Sequence, residues 1–304
     1  MLQILYSVIK TCVKKGFDSS LSNSRSLETS MKLDQIGFWS EIKLEIIKKY
    51  ASAYTTVLSK QPWCKGYVYI DAFAGAGMHI SKTTGGVIQG SPLNALEVQP
   101  SFTEYYFIDL DEERVNLFEG IAKENPRVHA YQGDCNEILI NKIFPILTYS
   151  SFKRALCILD PYKINIKWET IKKAADLKTI DMFLNFSIMD VNRNILFEDL
   201  SLAKQEDIDR MNAFWGDEQW KELLYKKRKN LFGEVQQIKI DDFKKLASGF
   251  EQRLKKVAGF KNVPKPILMR NEKNGPLYYL YFASQKDVAN KIVNDIFDKY
   301  RMEL

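Results

Sequence analysis

Apolar residues recur at helical spacing between Trp39 and Leu58, at Ile42, Ile46, Ile47, Tyr50, Tyr54, Val57 and Leu58. This period predicts an amphipathic helix with Lys43, Glu45, Lys48 and Lys49 on or near its polar face, stopped by Pro62 and Gly66. Five apolar runs follow and read as buried strands: YVYIDAF (67–73), EYYFIDL (104–110), RVHAYQGD (127–134), RALCILD (154–160) and DMFLNFS (181–187). Helical stretches at about 91–99, 112–124, 135–146 and 166–177 separate them. Strands that alternate with helices need crossover connections, which predicts a mostly parallel, doubly wound α/β sheet of Rossmann-like type. The pattern changes after residue 190. Residues 191–262 carry Lys, Glu, Trp and Phe at helical spacing and read as a helical insertion. PKPILMRN (264–271) and LYYLYFAS (277–284) then flank EKNGP, whose Asn-Gly signals a closing antiparallel hairpin, and a last helix runs from about 286 to 301. The expected organisation is an extension over 1–30, an α/β core over 31–190 and 263–304, and the insertion over 191–262.

Composition narrows this picture only a little. The 304 residues are 45% apolar and 27% charged, an ordinary globular balance that excludes a disordered or collagen-like chain. The net charge of +6 permits an anionic partner without requiring one. Most of the excess lies in residues 201–262, with 14 basic and 10 acidic side chains. Cys12, Cys64, Cys135 and Cys157 lie far apart without a C-x-x-C pair, and His79 and His129 are the only histidines, so no metal centre is expected. The same cysteine usage fits a reducing, cytoplasmic setting. The apolar start (1–13) lacks a charged leader and a cleavage site, and no stretch is long enough to predict a membrane span. A Ser-rich linker (19–30) follows, so 1–30 reads either as a poorly ordered extension or as a short docking helix.

Four candidate chemical sites stand at the ends of successive strands, where open α/β sheets bind ligands. DAFAGAG (71–77) is the first. Gly75 and Gly77 permit a tight turn and close approach of a ligand to the backbone at Phe73, and Asp71 can accept from a ligand's amine or hydroxyl. It is not G-x-G-x-x-G, so a nicotinamide oxidoreductase is disfavoured. Asp109 ends the second strand, placed to hold the two hydroxyls of a ribose, while Asp111 reads as the cap of the next helix. Asp134 ends the third, where it could meet an adenine amino group or cap a helix. Asp160, Pro161 and Tyr162 end the fourth. They offer acceptors for an exocyclic amino group and a ring to stack on, or else form an ordinary Asp-Pro turn. The loop 78–90 (MHISKTTGGVIQG) reads as a lid or as an insertion of no consequence. Trp39 and Lys43 either flank the same site or divide between core and surface. KELLYKKRKNLF (221–232) interleaves Lys226, Lys227, Arg228 and Lys229 with aromatic rings, a pattern suited to phosphates and bases or to a solvated helix face.

This motif set resembles class I S-adenosylmethionine-dependent methyltransferases. The resemblance implies S-adenosylmethionine as cofactor. It assigns DAFAGAG to the methionine end, Asp109 to the ribose and Asp134 to the adenine. A closer likeness is to the three-Cys-motif partner proteins, a bacterial family, through WSEIKLEIIKKY, DAFAGAG, GSPLNAL, GDCNEIL, LDPY and LYYLYFAS. It implies a three-Cys-motif protein as partner and allows a non-catalytic, partner-dependent role. Asp-Pro-Tyr also looks like a shortened form of the Asp-Pro-Pro-Tyr motif of enzymes that methylate amino groups of adenine and cytosine. Methyl transfer to a base amino nitrogen of a nucleic acid is therefore the expected activity.

Overall fold

A computed structural model describes residues 33–229, 235–240 and 242–302. The extension 1–30 lies outside the described residues. In chain order the elements are β1 (Gln35–Ile36), α1 (Phe38–Leu58), β2 (Gly66–Asp71), β3 (Met78–Ser81), β4 (Val87–Gln89), α2 (Ser91–Glu97), β5 (Glu104–Asp109) and α3 (Glu112–Glu124). Then come β6 (Val128–Gln132), α4 (Cys135–Ile138), β7 (Lys153–Leu159), α5 (Trp168–Leu177), β8 (Ile180–Phe186) and α6 (Ile188–Asn194). The chain closes with α7 (Gln205–Trp215), α8 (Trp220–Leu224), β9 (Tyr225–Lys229), β10 (Val235–Lys239), α9 (Phe243–Arg253), β11 (Ile267–Arg270), β12 (Pro276–Ala283) and α10 (Asp287–Met302).

Seven strands form the central sheet in the order β11-β12-β8-β7-β2-β5-β6. Five of them, β8-β7-β2-β5-β6, run parallel, and β12 pairs antiparallel with both β8 and β11. The doubly wound sheet with its closing hairpin is the one the apolar runs predict. From β2 the chain steps outward one way to β5 and β6, then returns to β7 and steps the other way to β8. The direction reverses between β2 and β7, and at such a point the connecting loops part and leave a crevice.

Strand alternation divides the core into two layers. Val68 and Ile70 of β2, with Cys157 and Leu159 of β7 and Met182, Leu184 and Phe186 of β8, face one cluster. Tyr69, Leu156, Ile158 and Phe183 face the other, against Ile46, Ile47, Tyr50 and Tyr54 of α1 and Val293 and Phe297 of α10. The described part of 191–262 closes over the first layer: Phe214 and Phe250 pack against Phe186, Phe250 also against Tyr281, and Trp215 against Phe250. Two local expectations are corrected. The loop 78–90 is a β-hairpin, β3–β4, which β1 extends to three strands. The basic run 225–229 is not helical: it is strand β9, paired antiparallel with β10, because four consecutive cations carry no helical period and the partner strand supplies the backbone hydrogen bonds. Among the described residues, no helix is long and apolar enough to cross a membrane.

Two buried carboxyls mark opposite ends of this sheet. Asp181, at the start of β8, accepts from Tyr50 at 2.7 Å and from Ser284. Burial raises its pKa from 3.8 to about 6, against the effect of those two hydrogen bonds. Burial likewise raises Asp71, at the end of β2, to about 6. A carboxyl with a raised folded pKa binds its proton more tightly in the folded state, so its stabilising share is complete below about pH 4 and is lost as pH rises through about 6. The expected result is that Asp181→Asn flattens the fall in stability between pH 4 and pH 6.5 by on the order of 2 kcal/mol. Urea unfolding at a series of pH values measures it, and a parallel wild-type and variant profile would contradict it.

Candidate active site

The carboxyl ends of β2, β5, β6, β7 and β8 surround a cleft of about 650 Å³. Its wall includes Phe73, Gly75, Asp109, Leu110, Asp134, Asp160, Pro161, Tyr162, Lys43, His79, Asn185 and Tyr278. Most of the candidates read from the sequence thus meet in one place. Asp71 and Gly77 are not part of that wall.

The glycine turn is threaded between neighbouring strands: Ala72 N donates to Ile158 O at 3.0 Å and Ala74 N to Ile108 O at 2.9 Å. Gly75 has φ +62° and faces open space, so it is the backbone conformation, not crowding, that calls for glycine. Asp71 is fully buried beneath the turn, where it accepts from Phe73 N at 3.3 Å and Tyr69 Oη at 3.4 Å. Asp71, expected to contact a ligand, is instead buried outside the cleft wall: one oxygen holds the turn at Phe73 N and the other meets Tyr69. Gly77, at φ +71°, packs against Leu93 and Phe118 behind the wall.

Asp109 couples the turn to the next strand. Its Oδ2 accepts from Gly75 N at 2.8 Å and its Oδ1 from Asp111 N at 3.0 Å. A carboxylate has about four acceptor positions, so these two donors do not exhaust it, and Asp109 lines the cleft. Arg114 lies 3.7 Å from Asp109 and 3.4 Å from Asp34, and Asp34 in turn receives the Tyr162 hydroxyl at 2.9 Å. Asp111 caps α3, as expected, accepting from Glu113 N and Arg114 N. Asp134 caps α4 through Glu137 N at 3.1 Å, one of the two readings for it, and also lines the cleft.

Asp160 is held from two sides. Lys43 of α1 forms an ion pair with its Oδ2, and Asn185 Nδ2 of β8 donates to its Oδ1 at 2.7 Å. Lys43 is only 8% exposed, and its ammonium sits 5.2 Å from the Tyr278 ring centroid. Burial opposes its charge, but the Asp160 carboxylate outweighs that, so its pKa is raised. Lys43 is therefore not on the polar face of α1. It shares the face of Ile47, Tyr50 and Tyr54, and its ammonium ends where the apolar wall gives way to the cleft. Trp39 packs against the second core layer instead. Asn185 Oδ1 is buried and has no hydrogen-bond partner, which leaves an unused acceptor beside Asp160. His79 of β3 closes the wall opposite. Its pKa is lowered by burial first and by the Lys43 charge second. Tyr162 is 74% exposed at the rim, with Leu110 and Met189 also open to solvent.

Sequence reading missed Asn185, His79 and Tyr278, and offered Lys43 beside the site only as one of two alternatives. The lysine had a signal: 43, 47, 50 and 54 follow the same 4-3-4 helical spacing as the apolar face. Asn185 had one too, as an amide directly after the apolar run Met182, Phe183 and Leu184. Of the basic run, Lys226 is exposed on β9, and the side chains of Lys227, Arg228 and Lys229 lie outside the described residues.

No family model matches the chain, and no curated protein sequence does. Solved structures similar to it include a Legionella pneumophila protein, with a TM-score of 0.48 at 14% identity over 84% of this chain and 92% of that one. The methyltransferase domain of bacterial CtHen1-CN is similar at 0.38 and 9% identity, over 79% of this chain and 99% of that one. The CurJ carbon methyltransferase is similar at 0.42 and 11% identity, over 81% of this chain and 56% of that one. These likenesses concern the mostly parallel sheet and its helices, and at such values they carry nothing about activity.

Proposed function

We propose that the protein is an S-adenosylmethionine-dependent methyltransferase acting on an amino nitrogen of a nucleic-acid base. One observation carries this reading: the Asp109 and Asp160 carboxylates, rooted in different strands, share a single cleft of about 650 Å³ at the reversal point of the sheet. The donor set fits the cofactor. Asp109 keeps acceptor capacity for the paired hydroxyls of a ribose. Leu110, 68% exposed, and the Gly133–Cys135 segment offer an apolar slot for a planar base, with Asp134 at its edge for an amino group. Phe73 and Gly75 line the side toward Asp160 and receive the methionine end. When bound, the cofactor supplies a methyl group on a sulfonium centre.

The chain's own residues then have to aim an acceptor. Asp160 can accept one N–H of an amino group and Asn185 Oδ1 the other, which orients the nitrogen lone pair into the cleft. With S-adenosylmethionine bound, the nitrogen would take the methyl group as its bond to sulfur breaks, leaving a neutral thioether, and the positive charge then on the nitrogen would be lost as a proton released to water. The Asp160 carboxylate would stabilise that charge, and Lys43 and Asn185 keep the carboxylate in one position. Pro161 sets the turn, and Tyr162 at the rim presents a face on which an unstacked base can lie.

The test is uptake of labelled methyl from S-adenosylmethionine into DNA and RNA oligonucleotides, with digestion and mass spectrometry to locate the methyl group. Label on adenine N6 or cytosine N4 is the expected result. Cofactor binding without transfer to any nucleic acid, alongside transfer to protein or small-molecule amines, would overturn the acceptor class. If the basic strand neutralises phosphates, changing Lys226, Lys227, Arg228 and Lys229 to glutamine weakens oligonucleotide binding. The slope of log K against log salt then falls by roughly one for each phosphate no longer neutralised. Filter binding at several salt concentrations measures it, and an unchanged slope would remove this strand from the interface.

A further inference from the structure

At the amino ends of β7 and β8, a second cavity of about 310 Å³ lies between α1 and α10. Arg154 in its wall and Asp160 in the cleft are six positions apart along one strand, about 20 Å by strand rise, so the two spaces are separate. The body of the second cavity is apolar, from Tyr54, Val57, Leu58 and Ile292. Its charged lining is unusual for such a space.

Arg154 is 7% exposed. Its guanidinium carbon lies 4.7 Å from the Trp63 ring centroid and 4.9 Å from that of Tyr149. Nη1 donates to Lys153 O at 2.7 Å, while Nε is buried without any partner. Among the described residues no carboxylate pairs with Arg154, nor with Lys178 or Lys286, the other two cations of the wall. The one acid there, Asp181, is hydrogen-bonded by Tyr50 and Ser284 and meets Arg154 and Lys286 only through space. A buried guanidinium nitrogen without an acceptor is costly, and the cost is relieved when a carboxylate oxygen meets it. Tyr54 Oη is a second buried polar atom in the same wall without a partner.

We propose that this cavity binds a small amphiphilic anion, an aryl or short acyl group bearing a carboxylate. The apolar body lies against Tyr54, Val57 and Ile292. The carboxylate meets the Nε edge of Arg154, with Lys178 and Lys286 at the mouth. The site is independent of the methyl-transfer reading, because none of its residues lines the cleft.

The test titrates 4-phenylbutyrate, neutral 4-phenylbutanol and inorganic phosphate into the full chain carrying ¹⁵N-labelled tryptophan. The Trp63 indole signal, identified by Trp63→Phe, reports on the cavity. The acid is expected to shift that signal and to bind at least about tenfold more tightly than the alcohol. Arg154→Gln should weaken the acid about tenfold or more. Lys286→Gln, a change at an exposed residue that leaves folding intact, should weaken it about two- to threefold. S-adenosylhomocysteine affinity should not move in either variant. Equal binding of acid and alcohol, an affinity for the acid unchanged in both variants, or phosphate binding as tightly as the acid would each overturn the proposal.

Discussion

Asp160→Asn is expected to lower the methyl-transfer rate by about a thousandfold while S-adenosylhomocysteine affinity changes by less than about threefold. The substitution keeps the volume and can still accept from Asn185 Nδ2, so the Asp-Pro-Tyr corner should persist. What it removes is the negative charge that would face a developing ammonium in a partly buried site, where a charge counts for more than in water. It also strips Lys43 of its partner. Losing one member of a buried pair costs on the order of 3 kcal/mol in stability, so the variant must be assayed well below its melting temperature. Lys43→Met separates the two effects. If Lys43 acts only by holding Asp160, the double variant is no slower than Asp160→Asn alone, and a double-mutant cycle on kcat shows strong coupling. Equal transfer rates for wild type and Asp160→Asn would remove Asp160 from the chemistry.

Asp109→Ala acts on the other half of the cleft. It is expected to weaken S-adenosylmethionine and S-adenosylhomocysteine by roughly 30- to 100-fold, the value of two hydrogen bonds to a carboxylate less what water recovers. Part of the loss is indirect. Gly75 N and Asp111 N both lose their acceptor, so the glycine turn and the start of α3 loosen together. Calorimetry with both compounds and with NAD separates the cofactor classes, since a ribose-binding carboxylate by itself serves either. Tight binding of NAD, or unchanged affinity for the S-adenosyl compounds, would sink the assignment.

Much of the protein could be read directly from residue order. The five parallel strands lie within a few positions of their apolar runs, because strands buried on both faces need continuous apolar sequence. The closing hairpin follows from Asn274 and Gly275, whose turn places Asn274 at φ +61°. Asp109, Asp134 and Asp160 could be found one by one because each ends such a run. The β3–β4 hairpin and the extended form of 225–229 could not. Short polar segments carry no period strong enough to separate ribbon from loop or helix, and pairing with a partner strand decides them.

Residue order alone thus sets the sheet and the line of acidic strand ends. What each acid faces is settled by packing. The fold turned Asp71 inward beneath the turn, and it brought Lys43 and Asn185, 142 positions apart in the chain, onto the two oxygens of Asp160. It also left the Arg154 Nε without a hydrogen-bond acceptor at the far end of the same strand. Local spacing cannot report such facts, because they depend on which helix packs over which strand end.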